Sequence, residues 1–177
     1  MKKLTKTQLA KAIFDASYLR GKFLLRSGVI SNEYFDKYQF ESQPELLAEI
    51  ADCFADIIPG GIDGLAGLEM GGIPLATALS LATGLPLVMV RKKAKEYGTK
   101  KIAEGFDVKG KRLLIVEDVI TSGGQVIIST NELRGAGAII DDAVCVIDRE
   151  SGGKEKLLEA GIKLHSLFTM TELKAAK

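Results

Sequence analysis

The chain has 177 residues, 24 Lys plus Arg against 23 Asp plus Glu, 46% hydrophobic residues, one His, two Cys and no Trp. That length can bury a proper core, and the composition excludes the disordered and fibrous classes. A net charge of +1 gives no overall field to draw in nucleic acid or a membrane, so any electrostatic function rests on a local cluster.

Cys53 and Cys145 lie far apart with no Cys-x-x-Cys spacing, and His165 stands alone. They read as two buried reduced thiols and an ordinary histidine, which excludes a disulfide framework and a thiolate or zinc site. At the N-terminus Lys6, Lys11 and Asp15 interrupt what a signal peptide would keep apolar. The uncharged run from Met70 to Val90 is broken by Gly71, Gly72, Pro74, Gly84 and Pro86, so it reads as loop, helix and strand rather than a membrane span. The expected location is cytoplasmic.

Thr5 to Tyr18 is predicted helical, with Thr5 as N-cap, Gln8 completing a capping box, and Leu9, Ala12, Ile13 and Ala16 on one face. An irregular segment follows, GKFLLRSGVISNEYFDKYQF, rich in aromatics and turn residues. Pro44 then opens a second helix with Leu46, Leu47, Ile50, Phe54, Ile57 and Ile58 at helical spacing and Glu45, Glu49, Asp52 and Asp56 facing water.

From residue 62 short apolar runs (62–67, 85–90, 112–119, 143–148 and 162–168) alternate with helical candidates at Ile73 to Ala82, Gly124 to Arg134 and Lys154 to Ala160. This rhythm predicts an α/β fold, a parallel sheet flanked by helices. The expected organisation is a single domain over 1–177, in which 1–43 forms a helix and a small N-terminal hood and 44–177 the α/β core. One connection, from Val90 to Arg112, shows little periodicity; a loop of that length is usually functional or mobile.

Four strand ends carry unusual chemistry. In LLIVEDVITSGGQV (113–126) an apolar strand ends in Glu117 and Asp118, then Thr121, Ser122, Gly123 and Gly124 lead into a helix. Small residues there let backbone N–H groups converge on a phosphate at the positive end of the helix dipole. The two acids suit vicinal sugar hydroxyls or hydrated Mg2+, so the unit describes a phosphorylated-sugar site, and no Gly-Lys-Ser/Thr of a Walker loop follows. In GLEMGGIP (67–74) Gly71 and Gly72 permit close backbone approach to a second anion such as pyrophosphate. Residues 91–101 hold Arg91, Lys92, Lys93, Lys95, Lys100 and Lys101 against Glu96, a local +5 that leaves −4 for the other residues. Gly98 and Gly105 suit this segment to closing over a charged substrate, and the bland alternative is a solvated or RNA-binding face. Finally, Arg149 between Asp148 and Glu150 suits a substrate carboxylate, with a surface ion pair as the alternative.

Together these motifs resemble the orotate phosphoribosyltransferases of the type I phosphoribosyltransferase fold, over nearly the whole chain. VEDVITSGG resembles the motif that binds phosphoribosyl pyrophosphate (PRPP), RKKAKEYGT the mobile loop, and FLLRSGVISNEYFD the hood. The resemblance implies that Glu117, Asp118, Val119, Ile120, Thr121, Ser122, Gly123, Gly124 and Gln125 wrap the ribose and its 5-phosphate, and that Gly71 and Gly72 serve the pyrophosphate through backbone amides. It implies that Thr121, Arg149, Tyr34 and Phe35 bind orotate. Arg26 falls where many members have Lys and keeps the charge at the PRPP site. Arg91, Lys92 and Lys95 match the catalytic cations that grip pyrophosphate, with Arg91 acting across a homodimer interface through loop 91–105. Tyr97 stands where some members have His, and Gly71 where some have Lys. Mg2+ is the implied cofactor, held mainly by substrate and through water to Glu117 and Asp118; orotate and PRPP are the implied partners. Two rivals stand beside this reading: a phosphoribosyltransferase for another base, and a non-enzymatic PRPP sensor that binds nucleic acid through the basic loop.

Overall fold

The computed structural model describes residues 3–24, 28–93 and 102–176. Helix α1 (Lys6–Ser17) opens with the predicted capping box: the Gln8 N–H donates to Thr5 Oγ1 at 3.2 Å and the Thr5 N–H to Gln8 Oε1 at 2.9 Å. Leu9, Ala10, Ile13 and Phe14 turn into the core.

The segment read as irregular is an antiparallel hairpin, β1 (Tyr18–Leu24) and β2 (Ile30–Phe35), in which Tyr18 faces Phe35 and the register shifts between Arg20 and Phe23. The pairing was hidden because the hairpin buries little, so its strands lack a clean apolar alternation. A short helix α2 (Tyr38–Glu41) joins the hairpin to α3 (Pro44–Ala55), which starts on Pro44 as predicted. Glu49 does not face water. It is buried and accepts a hydrogen bond from the Leu4 N–H at 3.1 Å, because α3 packs beside the chain entering α1. The helix ends at Ala55, short of Ile57 and Ile58, with Pro59 close behind.

Six strands form the main sheet: β3 (Gly64–Leu68), β4 (Leu87–Val90), β5 (Ala103–Glu104), β6 (Arg112–Ile120), β7 (Ile139–Asp148) and β8 (Lys163–Thr169), in the order β5-β4-β3-β6-β7-β8. All neighbours are parallel except β4 and β5. Part of the long connection expected as loop is therefore an edge strand, with Val90 opposite Ala103. Helices α4 (Gly72–Thr83), α5 (Gly124–Gly135), α6 (Gly153–Glu159) and α7 (Met170–Ala175) complete the chain.

Strand side chains alternate between two apolar clusters. Leu65, Leu114, Val116 and Val144 pack with α1, α3, α4 and α7; Ala66, Ile115, Ala143 and Cys145 pack with α5 and α6. Of the two thiols, Cys145 is buried as expected, whereas Cys53 is only partly covered, and neither is bonded. Strand β7 starts four residues before its predicted run because its polar start is paired: His165 Nε2 lies 2.8 Å from Asp142, and Arg112 bridges Asp141. No helix among the described residues is long and apolar enough to cross a membrane.

Candidate active site

The strand order reverses between β3 and β6, and in open α/β sheets the crevice outside the carboxyl ends at such a reversal is where ligands bind. Strand length sharpens that crevice. The β3–β6 ladder ends at Gly67 opposite Val116, while the β6–β7 ladder runs on to Ile120 opposite Asp148. Glu117 through Ile120 therefore stand beyond β3, bonded on one side only.

A turn of small residues carries the chain from Ile120 into α5. Gly123 has φ 72°, a left-handed conformation that costs glycine nothing and other residues dearly. The turn and the first residues of α5 open onto a cleft of about 330 Å3 lined by Glu117, Val119, Ile120, Thr121, Ser122, Gly123, Gly124 and Gln125. Lys92 lines it too, its N–H donating to Glu69 Oε1 at 2.7 Å.

Asp118 lies behind this lining, fully buried, paired with the Lys37 ammonium and accepting a hydrogen bond from the Val119 N–H. Glu41, 7% exposed, brings a third carboxylate to the same spot. Burial, together with the charge of Asp118, pushes Glu41 up to about 8. Burial and the neighbouring Asp118 likewise hold Glu117 well above the carboxylate range. Burial works against the Lys37 ammonium, but the bond to Asp118 together with the charges of Asp118 and Glu117 outweighs it and raises its pKa.

The close approach predicted at Gly71 and Gly72 is made by the chain itself. A Cβ on Gly71 would stand 2.6 Å from Asp118 Cγ and 2.8 Å from Glu41 Oε1, and one on Gly72 would run into the Val116 carbonyl. Both glycines are buried and neither lines the cleft.

Four other predicted residues also stand off the lining. Tyr34 is exposed on the hairpin against Phe23, ring centroids 5.5 Å apart, and Phe35 packs on the core. Arg91 leaves β4 with its Nε 3.5 Å from Glu104 Oε1. Arg149 is exposed, and its N–H donates to the Ile120 carbonyl at 2.9 Å, which ties the end of β7 to the rim of the site. Arg26, Lys95 and Tyr97 lie outside the described residues. Sequence reasoning missed Lys37, Tyr38, Glu69 and Met70, all of which line the cleft. The only signal for the first two was their place directly after the hood aromatics.

An acid-ended strand, a glycine turn and a helix start on one cleft, at the reversal of a parallel sheet, define a phosphoribosyltransferase; residues 38–160 match the phosphoribosyl transferase domain family. The chain is 50% identical over 169 residues to an orotate phosphoribosyltransferase of a Nocardioides species, covering 96% of this chain and 94% of that one. It is 46% identical over 153 residues to the orotate phosphoribosyltransferase of Methanocella arvoryzae, covering 86% and 87%. A crystal structure of the Mycobacterium tuberculosis orotate phosphoribosyltransferase in complex with PRPP superposes with a TM-score of 0.83 at 25% identity, covering 96% of this chain and 98% of that one. The chain belongs to the orotate phosphoribosyltransferase family.

Proposed function

We propose that the cleft transfers the 5-phosphoribosyl group of PRPP to N1 of orotate, giving orotidine 5'-phosphate and diphosphate on the route to UMP. The observation that carries this reading is the convergence of Glu117 and the Thr121–Gln125 turn on one cleft in a chain of this family. The C1–oxygen bond to diphosphate breaks as the C1–N1 bond to orotate forms, and the N1 proton passes to the departing diphosphate or to water. The transition state is oxocarbenium-like, so the protein's task is to neutralise departing negative charge and exclude water.

The turn and the α5 N-terminus take the 5-phosphate through backbone N–H groups. Glu117 at the cleft and Asp118 behind it serve the ribose hydroxyls. Lys92, with Arg91 and Lys95, grips the diphosphate, and Arg26 completes the PRPP site. Arg149 holds the orotate carboxylate through parallel hydrogen bonds, beside Thr121, Tyr34 and Phe35. The proposal includes a homodimer in which the 91–105 segment reaches the neighbouring site, and action in the cytoplasm.

Among the described residues no group of three or more Asp, Glu, His or Cys side chains gathers as a metal site. The cleft's donors are hard carboxylate oxygens, which fit Mg2+ held mostly by substrate oxygens and water. Glu117, with Asp118 behind it, would hold the ion through water, and when bound it supplies charge neutralisation at the diphosphate.

The test is loss of orotate absorbance on mixing the protein with PRPP and Mg2+, with uracil, hypoxanthine and adenine as parallel acceptors. Turnover with orotate alone is expected. Turnover with another base, or PRPP binding without turnover on any base, would replace this reading.

A further inference from the structure

We propose that Lys37 is a substrate-contacting cation for the diphosphate end of PRPP, anchored in place by the buried Asp118; this rests on the reading of the cleft as a PRPP site. Lys37 directly precedes α2, where the hood hairpin rejoins the core, and lines the cleft together with Tyr38. Its side chain is 32% exposed, and its Nζ lies 5.2 Å from the centroid of the Tyr38 ring.

An ammonium has three donors, and Asp118 takes one of them. Asp118 is fully buried and cannot follow a ligand, so the pair fixes the cation rather than the reverse. The remaining N–H groups are left to the cleft. Gly71 makes the anchor possible, because any Cβ there would occupy the space of the Asp118 carboxylate. In the same cleft as the Thr121–Gly124 turn, Lys37 and Lys92 supply the positive charge among the described lining residues. A substrate with a phosphate at one end and a diphosphate at the other places the first in the turn, and the second meets these lysines.

The test compares wild type with Lys37→Met, which keeps the length of the stem and removes the charge. Loss of one charge-assisted contact is expected to weaken PRPP binding by about 10- to 100-fold. Calorimetry would read it as a raised Kd for PRPP, steady-state kinetics as a raised KM for PRPP, with the KM for orotate held within about twofold and ribose 5-phosphate, which lacks the diphosphate, bound as in wild type. Should Lys37→Met fail to fold, Lys37→Gln is read in the same way. PRPP affinity within threefold of wild type overturns the inference, as does an equal loss for ribose 5-phosphate, which would mean a general collapse of the site. Wild-type turnover of orotate tests the underlying reading separately. With that turnover intact, unaltered PRPP binding in the variant sinks the role of Lys37 alone.

Discussion

Gly71→Ala is the most discriminating single perturbation of the site. Its new Cβ would stand 2.6 Å from Asp118 Cγ and 2.8 Å from Glu41 Oε1, with Asp118 fully buried and Glu41 nearly so. Two responses are open. The backbone around Gly71 can shift, an overpacking strain of about 1–3 kcal/mol. Alternatively, the Asp118 carboxylate can turn away from Lys37 and leave a buried charge without its partner, about 3–5 kcal/mol. The chain takes the cheaper response, and because both groups the Cβ meets are buried the loss lies at the upper end of its range, about 3 kcal/mol, which for a chain of this size lowers Tm by roughly 6–12 °C. Either response displaces Asp118 and with it the Lys37 it anchors in the cleft lining, and a misplacement of about 1 Å costs on the order of 100-fold in turnover.

Thermal unfolding followed by circular dichroism, beside PRPP titration and steady-state turnover of orotate, reads both effects. Gly135→Ala is the control, since a Cβ there meets nothing within 4 Å at the end of α5 and should leave Tm unchanged or slightly raised. A Gly71→Ala protein melting within about 2 °C of wild type, with full PRPP affinity, would refute the packing argument, since the strain just estimated corresponds to several degrees.

Glu41, pushed up to about 8, holds a proton in the folded chain that the unfolded chain releases near its ordinary value of 4.5. Stability is therefore expected to fall as pH rises between those values, by about 1.4 kcal/mol per unit at most for this group; Glu41→Gln should flatten that slope and be the more stable protein at pH 8, and parallel urea-midpoint curves for the two would contradict it. Lys95→Ala is expected to lower turnover by ~100-fold or more, the scale for losing one preorganised charge partner; near wild-type steady-state turnover would remove the basic segment from catalysis. Arg149→Ala should raise the KM for orotate by ~10-fold or more with the KM for PRPP unchanged, the size of one charge-assisted hydrogen bond; an unaltered orotate KM would place the carboxylate elsewhere.

The parts of the fold legible in the sequence are those whose burial is one-sided or total. The runs that became β3, β4, β6, β7 and β8 are apolar because helices cover both faces, and Thr5 with Gln8 announces the start of α1 by chemistry that needs no tertiary partner. The hairpin was illegible for the opposite reason, since it buries too little to impose a pattern. Glu49 was misread because its amphipathic position is overridden by one long-range partner, the Leu4 N–H. At the site, the acid pair and glycine turn are contiguous and could be read directly. Lys37 and Glu41 reach Asp118 only through the path of α2, and spacing along the chain carries no trace of that meeting.

The geometry of the site follows from a mismatch between strands. Because β3 stops at Leu68 while β6 continues to Ile120, the chain must leave β3 and enter α4 directly beside the protruding end of β6. That entry fits only because three glycines lie there: a Cβ on Gly67 would stand 2.8 Å from Ala76 Cβ, and those on Gly71 and Gly72 would meet Asp118 and the Val116 carbonyl. The tight entry also gathers Glu41, Glu117 and Asp118 around one ammonium, an arrangement that burial and like charge oppose, as the raised Glu41 and Glu117 show. The ligand-free site is thus held below its own electrostatic optimum by the packing around it. Of the three acids only Glu117 lines the cleft, so hydroxyl donors or positive charge brought there relieve its share of that opposition on binding, and occupancy of the cleft should stabilise the folded chain accordingly.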